Sequence, residues 1–93
     1  MKKIVLSADG PLHICLVPDI VADNLLDYID DFYDHAEKFK LIKYDDGKYA
    51  FTESEVDGFI HWLNRMFKEQ SNILEVVENT RWKEYEDLPW WNW

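Results

Sequence analysis

The sequence predicts an α+β fold: a small antiparallel sheet from two β-hairpins, packed against two amphipathic helices and followed by a Trp-rich C-terminal tail. Three observations carry that expectation. Two Gly-containing turns are each flanked by short strand-like runs, and two longer segments repeat their apolar residues every three or four positions. Four of the five tryptophans fall between Trp82 and Trp93. The chain of 93 residues is 47% hydrophobic, which fits one domain over residues 1–93 with a core of its own and argues against disorder. Gly and Pro number only three each, too few for a long flexible linker.

Each element follows from local pattern. Ile4-Val5-Leu6 is a β-branched run that stops at Asp9-Gly10, a turn pair in which Gly accepts positive φ without steric cost. Leu12 to Val17 alternates as a strand, with Leu12, Ile14 and Leu16 on one face and His13, Cys15 and Val17 on the other. Pro18 closes it. From Asp19, Val21, Ala22, Leu25, Leu26, Ile29, Phe32, Tyr33 and Ala36 take helical spacing, which predicts one helix ending near residues 37–39. Asp19 suits the N-cap or the first turn. Leu41–Tyr44 and Lys48–Phe51 flank Asp45-Asp46-Gly47 as a second hairpin. Thr52 and Glu55 have capping-box spacing before a second helix, whose apolar face is Val56, Phe59, Ile60, Leu63, Met66 and Phe67. The stretch Ile73–Val77 fits a short helix or a strand, and Thr80–Trp93 shows no period.

The net charge of −9, from nineteen acidic against ten basic residues, argues against direct nucleic-acid binding, which depends on Lys and Arg neutralising phosphates. The same sign disfavours docking on anionic lipid. No apolar run approaches a membrane span, and Ile4–Leu6 is shorter than the core of an export signal. A single cysteine allows no internal disulfide, so a cytoplasmic location is expected.

Two features suggest sites. Asp23, Asp27, Asp30 and Asp34 share one helical face, and from Asp19 to Glu37 there are seven carboxylates and no Lys or Arg. Like charges at this spacing oppose the helix, so they are not there for its stability. They are either a solvated outer face or a surface for a basic partner, including mimicry of a phosphate backbone. A straight stripe cannot wrap a metal ion with six oxygens. The second feature is the tail, where Trp90, Trp91 and Trp93 either cover the core or a dimer interface, or stay exposed for a partner. His13, Cys15, His35 and His61 have no metal-ligand spacing, and no phosphate loop or nucleophile elbow is present. No catalytic residue, metal or cofactor is therefore expected, and the chain reads as a non-enzyme.

Leu16-Val17-Pro18-Asp19, Val21-Ala22-Asp23-Asn24-Leu25, Phe59 with Leu63-Asn64, Val77-Glu78-Asn79 and Pro89-Trp90-Trp91-Asn92-Trp93 occur in that order along most of the chain. Together they resemble a family of small uncharacterised acidic proteins of Gram-positive, mostly anaerobic bacteria. Members of that family carry Cys and Trp on the first helix where this chain has Tyr28, Asp31, Phe32 and Asp34. The resemblance implies a bacterial cytosolic protein and brings no activity or ligand. The expected function is a non-catalytic protein–protein interaction module, whose partner is an unidentified basic protein or a second copy of the chain. The alternative is an acidic inhibitor or immunity-type protein that blocks a basic site on its target.

Overall fold

A computed structural model describes residues 1–8, 10–43, 49–51 and 55–93, with the backbone alone described at 35–43 and 49–51. The fold is α+β. Strands β1 (Lys2–Ser7), β2 (Leu12–Val17), β5 (Asn72–Val77) and β6 (Trp90–Asn92) form one sheet in the order β5-β2-β1-β6. Helices α1 (Asp19–Asp23), α2 (Leu25–Lys40) and α3 (Glu55–Met66) lie between β2 and β5 in sequence. A 3₁₀ helix, Asn79–Tyr85, links β5 to β6.

The first hairpin forms as expected, with Val5 opposite Ile14 and Ser7 opposite Leu12. Gly10 takes a φ of +137°, a conformation that side chains rarely tolerate. Ser7 Oγ donates to the Gly10 and Pro11 carbonyls and closes the turn. The sheet is nevertheless not built from two hairpins, and it is not wholly antiparallel. The second hairpin, β3 (Leu41–Lys43) with β4 (Tyr49–Phe51), is an antiparallel pair of its own. The other two strands of the main sheet come from the C-terminal third. β5 joins β2 antiparallel, which settles Ile73–Val77 as strand, and β6 joins β1 in parallel. Three-residue strands leave β3 and β4 little to offer a larger sheet, whereas β1 presents a free edge that the apolar tail can pair with. The turn Asp45–Gly47 and Thr52 of the expected capping box lie outside the described residues.

The predicted first helix is two helices. Asn24 has φ −132° and ψ 39°, so it ends α1, and its side-chain amide donates to the Ile20 carbonyl at 2.9 Å. Its own carbonyl then accepts from the Asp27 and Tyr28 amides, which starts α2. Asn tolerates such non-helical backbone because its side chain can satisfy a helix end. At the other end of α1, the Pro18 carbonyl caps the first turn, and Asp19 sits inside that turn as a carboxylate. It pairs at 2.9 Å with the Met1 amine. The contact raises the amine's pKa and lowers that of Asp19.

All three helices cover one face of the sheet. Ile4, Leu6, Cys15 and Val17 meet Val21, Leu25, Ile29, Phe32, Phe59 and Leu63 in the main core. Leu26, Tyr33 and Met66, assigned to inner faces by their spacing, are instead exposed. Each helix buries only a narrow stripe, Leu25, Ile29 and Phe32 on α2 and Val56, Phe59, Ile60 and Leu63 on α3, and the three exposed side chains fall outside it. Phe32 is the hub: its ring lies 5.4 Å from Phe59, 5.6 Å from Trp62 and 6.2 Å from Trp93. Asn64 fastens the end of α3 to the start of β5. Its Oδ1 accepts from the Ser71 amide at 2.6 Å, and its Nδ2 donates to the Ser71 carbonyl at 3.1 Å.

The opposite face of the sheet is also covered. Val5, Leu12, Ile14 and Val77 form a second, smaller core against Tyr85 and Leu88. β5 and β6 run in the same direction, so the chain must cross the sheet between them. Residues 78–89 make that crossing on the face away from the helices.

Replacing Trp93 with Ala should cost about 2–4 kcal/mol, because an aromatic packed on Phe32 and Phe59 is lost. Trp90→Ala should stay within about 0.5 kcal/mol as an exposed substitution. Urea unfolding of the two variants beside wild type checks the contrast. Asn64→Ala should cost about 1–3 kcal/mol in the same assay, since it strips two hydrogen bonds from the buried Ser71.

Candidate functional site

The pleat of β6 divides the three tail tryptophans. Trp90 is registered with Val5, Trp91 with Leu6 and Asn92 with Ser7. Registered residues share a face, so Trp91 turns with Leu6 toward the helices while Trp90 turns with Val5 toward the crossing segment. Trp91 and Trp93 are accordingly half-buried against the main core. The Trp93 ring is 6.0 Å from Phe59. Trp90 remains 64% exposed.

Trp90 is one wall of a cleft of about 660 Å³. Val5, Ser7, Gly10 and Leu12 of the first hairpin line it, with Asn79, Trp82, Tyr85 and Glu86 from the crossing segment and Trp90 to Trp93 from the tail. Trp82, on the exposed side of the 3₁₀ helix, is 51% accessible. Two half-open indoles thus border one concavity with an apolar floor of Val5 and Leu12. Nothing in the sequence singles out Trp82 within the tail, since the tail lacks a period and the crossing path depends on which edge β6 joins.

Hydrogen bonds fix the crossing segment. The Val5 amide donates to the Pro89 carbonyl and the Trp93 amide to the Ser7 carbonyl, each at 2.9 Å. Tyr85 Oη donates to Glu75 of β5 at 3.1 Å. Burial raises the Tyr85 pKa first, and the Glu75 carboxylate adds to the rise. Arg81 forms a fork with Glu84 at 2.7 and 2.9 Å, which lowers the Glu84 pKa. Both nitrogens of that fork are therefore turned to a carboxylate of the same helix.

The acidic stripe lies elsewhere. Asp27, Asp30 and Asp34 are exposed along α2, and no ion pair among the described residues holds them. Asp23 belongs to α1 and is bound at 2.7 Å by Lys2. The expected row of four is thus one neutralised carboxylate followed by three open ones.

The histidines and the cysteine do not assemble a reactive centre. Cys15 is fully buried, and its thiol donates to the His13 carbonyl at 3.6 Å rather than to an imidazole. Burial, assisted by the charge of Asp57, pushes the Cys15 thiol up to about 12. His61 is exposed on α3, and the side chain of His35 lies outside the described residues. Among the described residues no three His, Cys, Asp or Glu side chains gather as metal ligands. No helix among them is long and apolar enough to cross a membrane. Comparison with protein-family models, with curated proteins and with solved structures finds no match for the chain.

A raised thiol pKa has a defined sign in stability. Holding Cys15 as the neutral thiol contributes fully below its ordinary value near 9 and is lost as pH rises toward about 12. Wild type should therefore lose stability over that window more steeply than Cys15→Ala, read as the pH dependence of the urea midpoint. Alkylation by iodoacetamide at pH 8.5 should be slow in the native state and should accelerate with global unfolding.

Proposed function

We propose that this chain is a non-catalytic protein–protein interaction module whose partner contacts the cleft between the first hairpin and the crossing segment. The observation that carries this reading is the pair Trp82 and Trp90, about half to two-thirds exposed on the rim of one concavity. Tryptophans in a partly enclosed setting are the side chains that dominate interface energetics. Among the described residues, the ionisable groups lining the cleft are Tyr85 and Glu86, and the Tyr85 hydroxyl is already engaged with Glu75. That chemistry serves binding better than proton transfer. A bacterial cytosol is the proposed setting, in keeping with the sequence resemblance and with one buried thiol.

The second reading, an acidic inhibitor or immunity-type protein, is favoured by Asp27, Asp30 and Asp34. These three carboxylates stand open on one face of α2, the arrangement that charge complementarity to a basic target requires.

Affinity purification from cell extract with the wild type, Trp82→Ala/Trp90→Ala and Asp27→Asn/Asp30→Asn/Asp34→Asn, read by mass spectrometry, separates the two. A specific partner should be retained by wild type and lost about a hundredfold by the Trp pair, with the thermal midpoint unchanged. Loss confined to the Asp triple favours the inhibitor reading. Equal retention by all three removes both surfaces from consideration.

A further inference from the structure

We propose that the cleft is a receptor for an arginine side chain carried on a basic segment of the protein partner. This rests on the cleft being the contact surface, and it adds the chemistry that the surface selects. Two indole rings and the Tyr85 ring border the cleft, Glu86 supplies a carboxylate, and no Lys or Arg among the described residues lines it. The face of an indole is electron-rich, so a cation placed over it is attracted, most strongly where water is partly excluded.

The nearest arginine in sequence does not occupy this place. Arg81 is folded back onto Glu84 through two contacts. The chain's net charge of −9 draws cations toward the whole surface, and Glu86 localises one at the aromatic rim.

A guanidinium fits better than an ammonium. It is planar, stacks on indole and is less tightly hydrated, and its fork of donors suits a carboxylate. The side-chain carbonyls of Asn79 and Asn92, also on the lining, can accept its remaining N–H groups. A volume of about 660 Å³ exceeds one guanidinium, which leaves room for the residues flanking it.

The probe is a capped Ala-Arg-Ala-Arg-Ala peptide, with versions carrying Lys or the neutral isostere citrulline, titrated against the full chain by NMR of the indole N–H groups. The Arg peptide should shift the Trp82 and Trp90 resonances saturably, with Lys weaker and citrulline at least about tenfold weaker. Trp90→Ala and Glu86→Gln should each weaken binding about fivefold. Glu69→Gln, which removes one charge from the loop after α3, should change it by less than about twofold. Both cleft substitutions are at exposed positions, and an unchanged amide spectrum elsewhere verifies the fold.

Equal affinity for citrulline would overturn the arginine receptor and leave the interaction module standing. So would an effect of Glu69→Gln matching that of Glu86→Gln, because attraction would then be diffuse. Absence of shifts at Trp82 and Trp90 would overturn it as well. Failure of the module itself has a separate signature: partner retention indifferent to Trp82 and Trp90.

Discussion

The parallel pairing of β6 with β1 is the contact on which the second face of the sheet depends. It is only three residues long, and three ladder positions alone would fray in water. What secures it is packing from the helix side. Trp93 lies against Phe32 and Phe59, and those two rings also meet each other and Trp62. With β6 fixed at one edge and β5 at the other, residues 78–89 have no route except across the sheet. The crossing buries Tyr85 and Leu88 on Val5 and Ile14, and it leaves the cleft where coverage is incomplete. The core that folds the helices is therefore the same core that holds the cleft open.

Two elements were legible in the sequence for plain reasons: α3 buries one side of a regular helix, and burial writes the period, while the first hairpin is marked by its Gly10 turn between two apolar runs. β5 was ambiguous because of a bulge. Ile14 pairs with Glu75 and Cys15 with Ile73, so Leu74 is an extra residue and the alternation breaks there. Ile73 consequently faces the main core while Val77 faces the smaller one. No window of a few residues contains that register. β6 was hidden more deeply, since a short parallel strand depends on a partner more than eighty residues away in the chain. The division at Asn24 was masked by apolar residues that continue at helical spacing across it.

The candidate site divides along the same line. The acidic stripe is a local property of helical spacing, and its exposure was foreseeable, except that Lys2 from β1 reaches Asp23. The cleft is a tertiary property. Trp82 belongs to it only because the crossing passes over the first hairpin, and Trp90 only because its register with Val5 turns it outward. Adjacent tryptophans in the sequence thus have different tasks: Trp91 packs with the helix-side core, and Trp90 faces the cleft.

Charge is distributed with the same separation. Asp27, Asp30 and Asp34 lie on a helix of one face, whereas Glu86 and the exposed indoles lie on the other. Both surfaces favour cations, but they differ in what they can discriminate. An open carboxylate row in water attracts any positive group, and salt screens it readily. A carboxylate beside two indoles adds a requirement for shape, because stacking needs a flat cation at van der Waals distance. For the proposed basic partner, long-range attraction by the acidic surface and selection at the cleft are compatible, the first acting on approach and the second on residence. The sheet stands between the two surfaces, so a substitution on one leaves the contacts of the other in place.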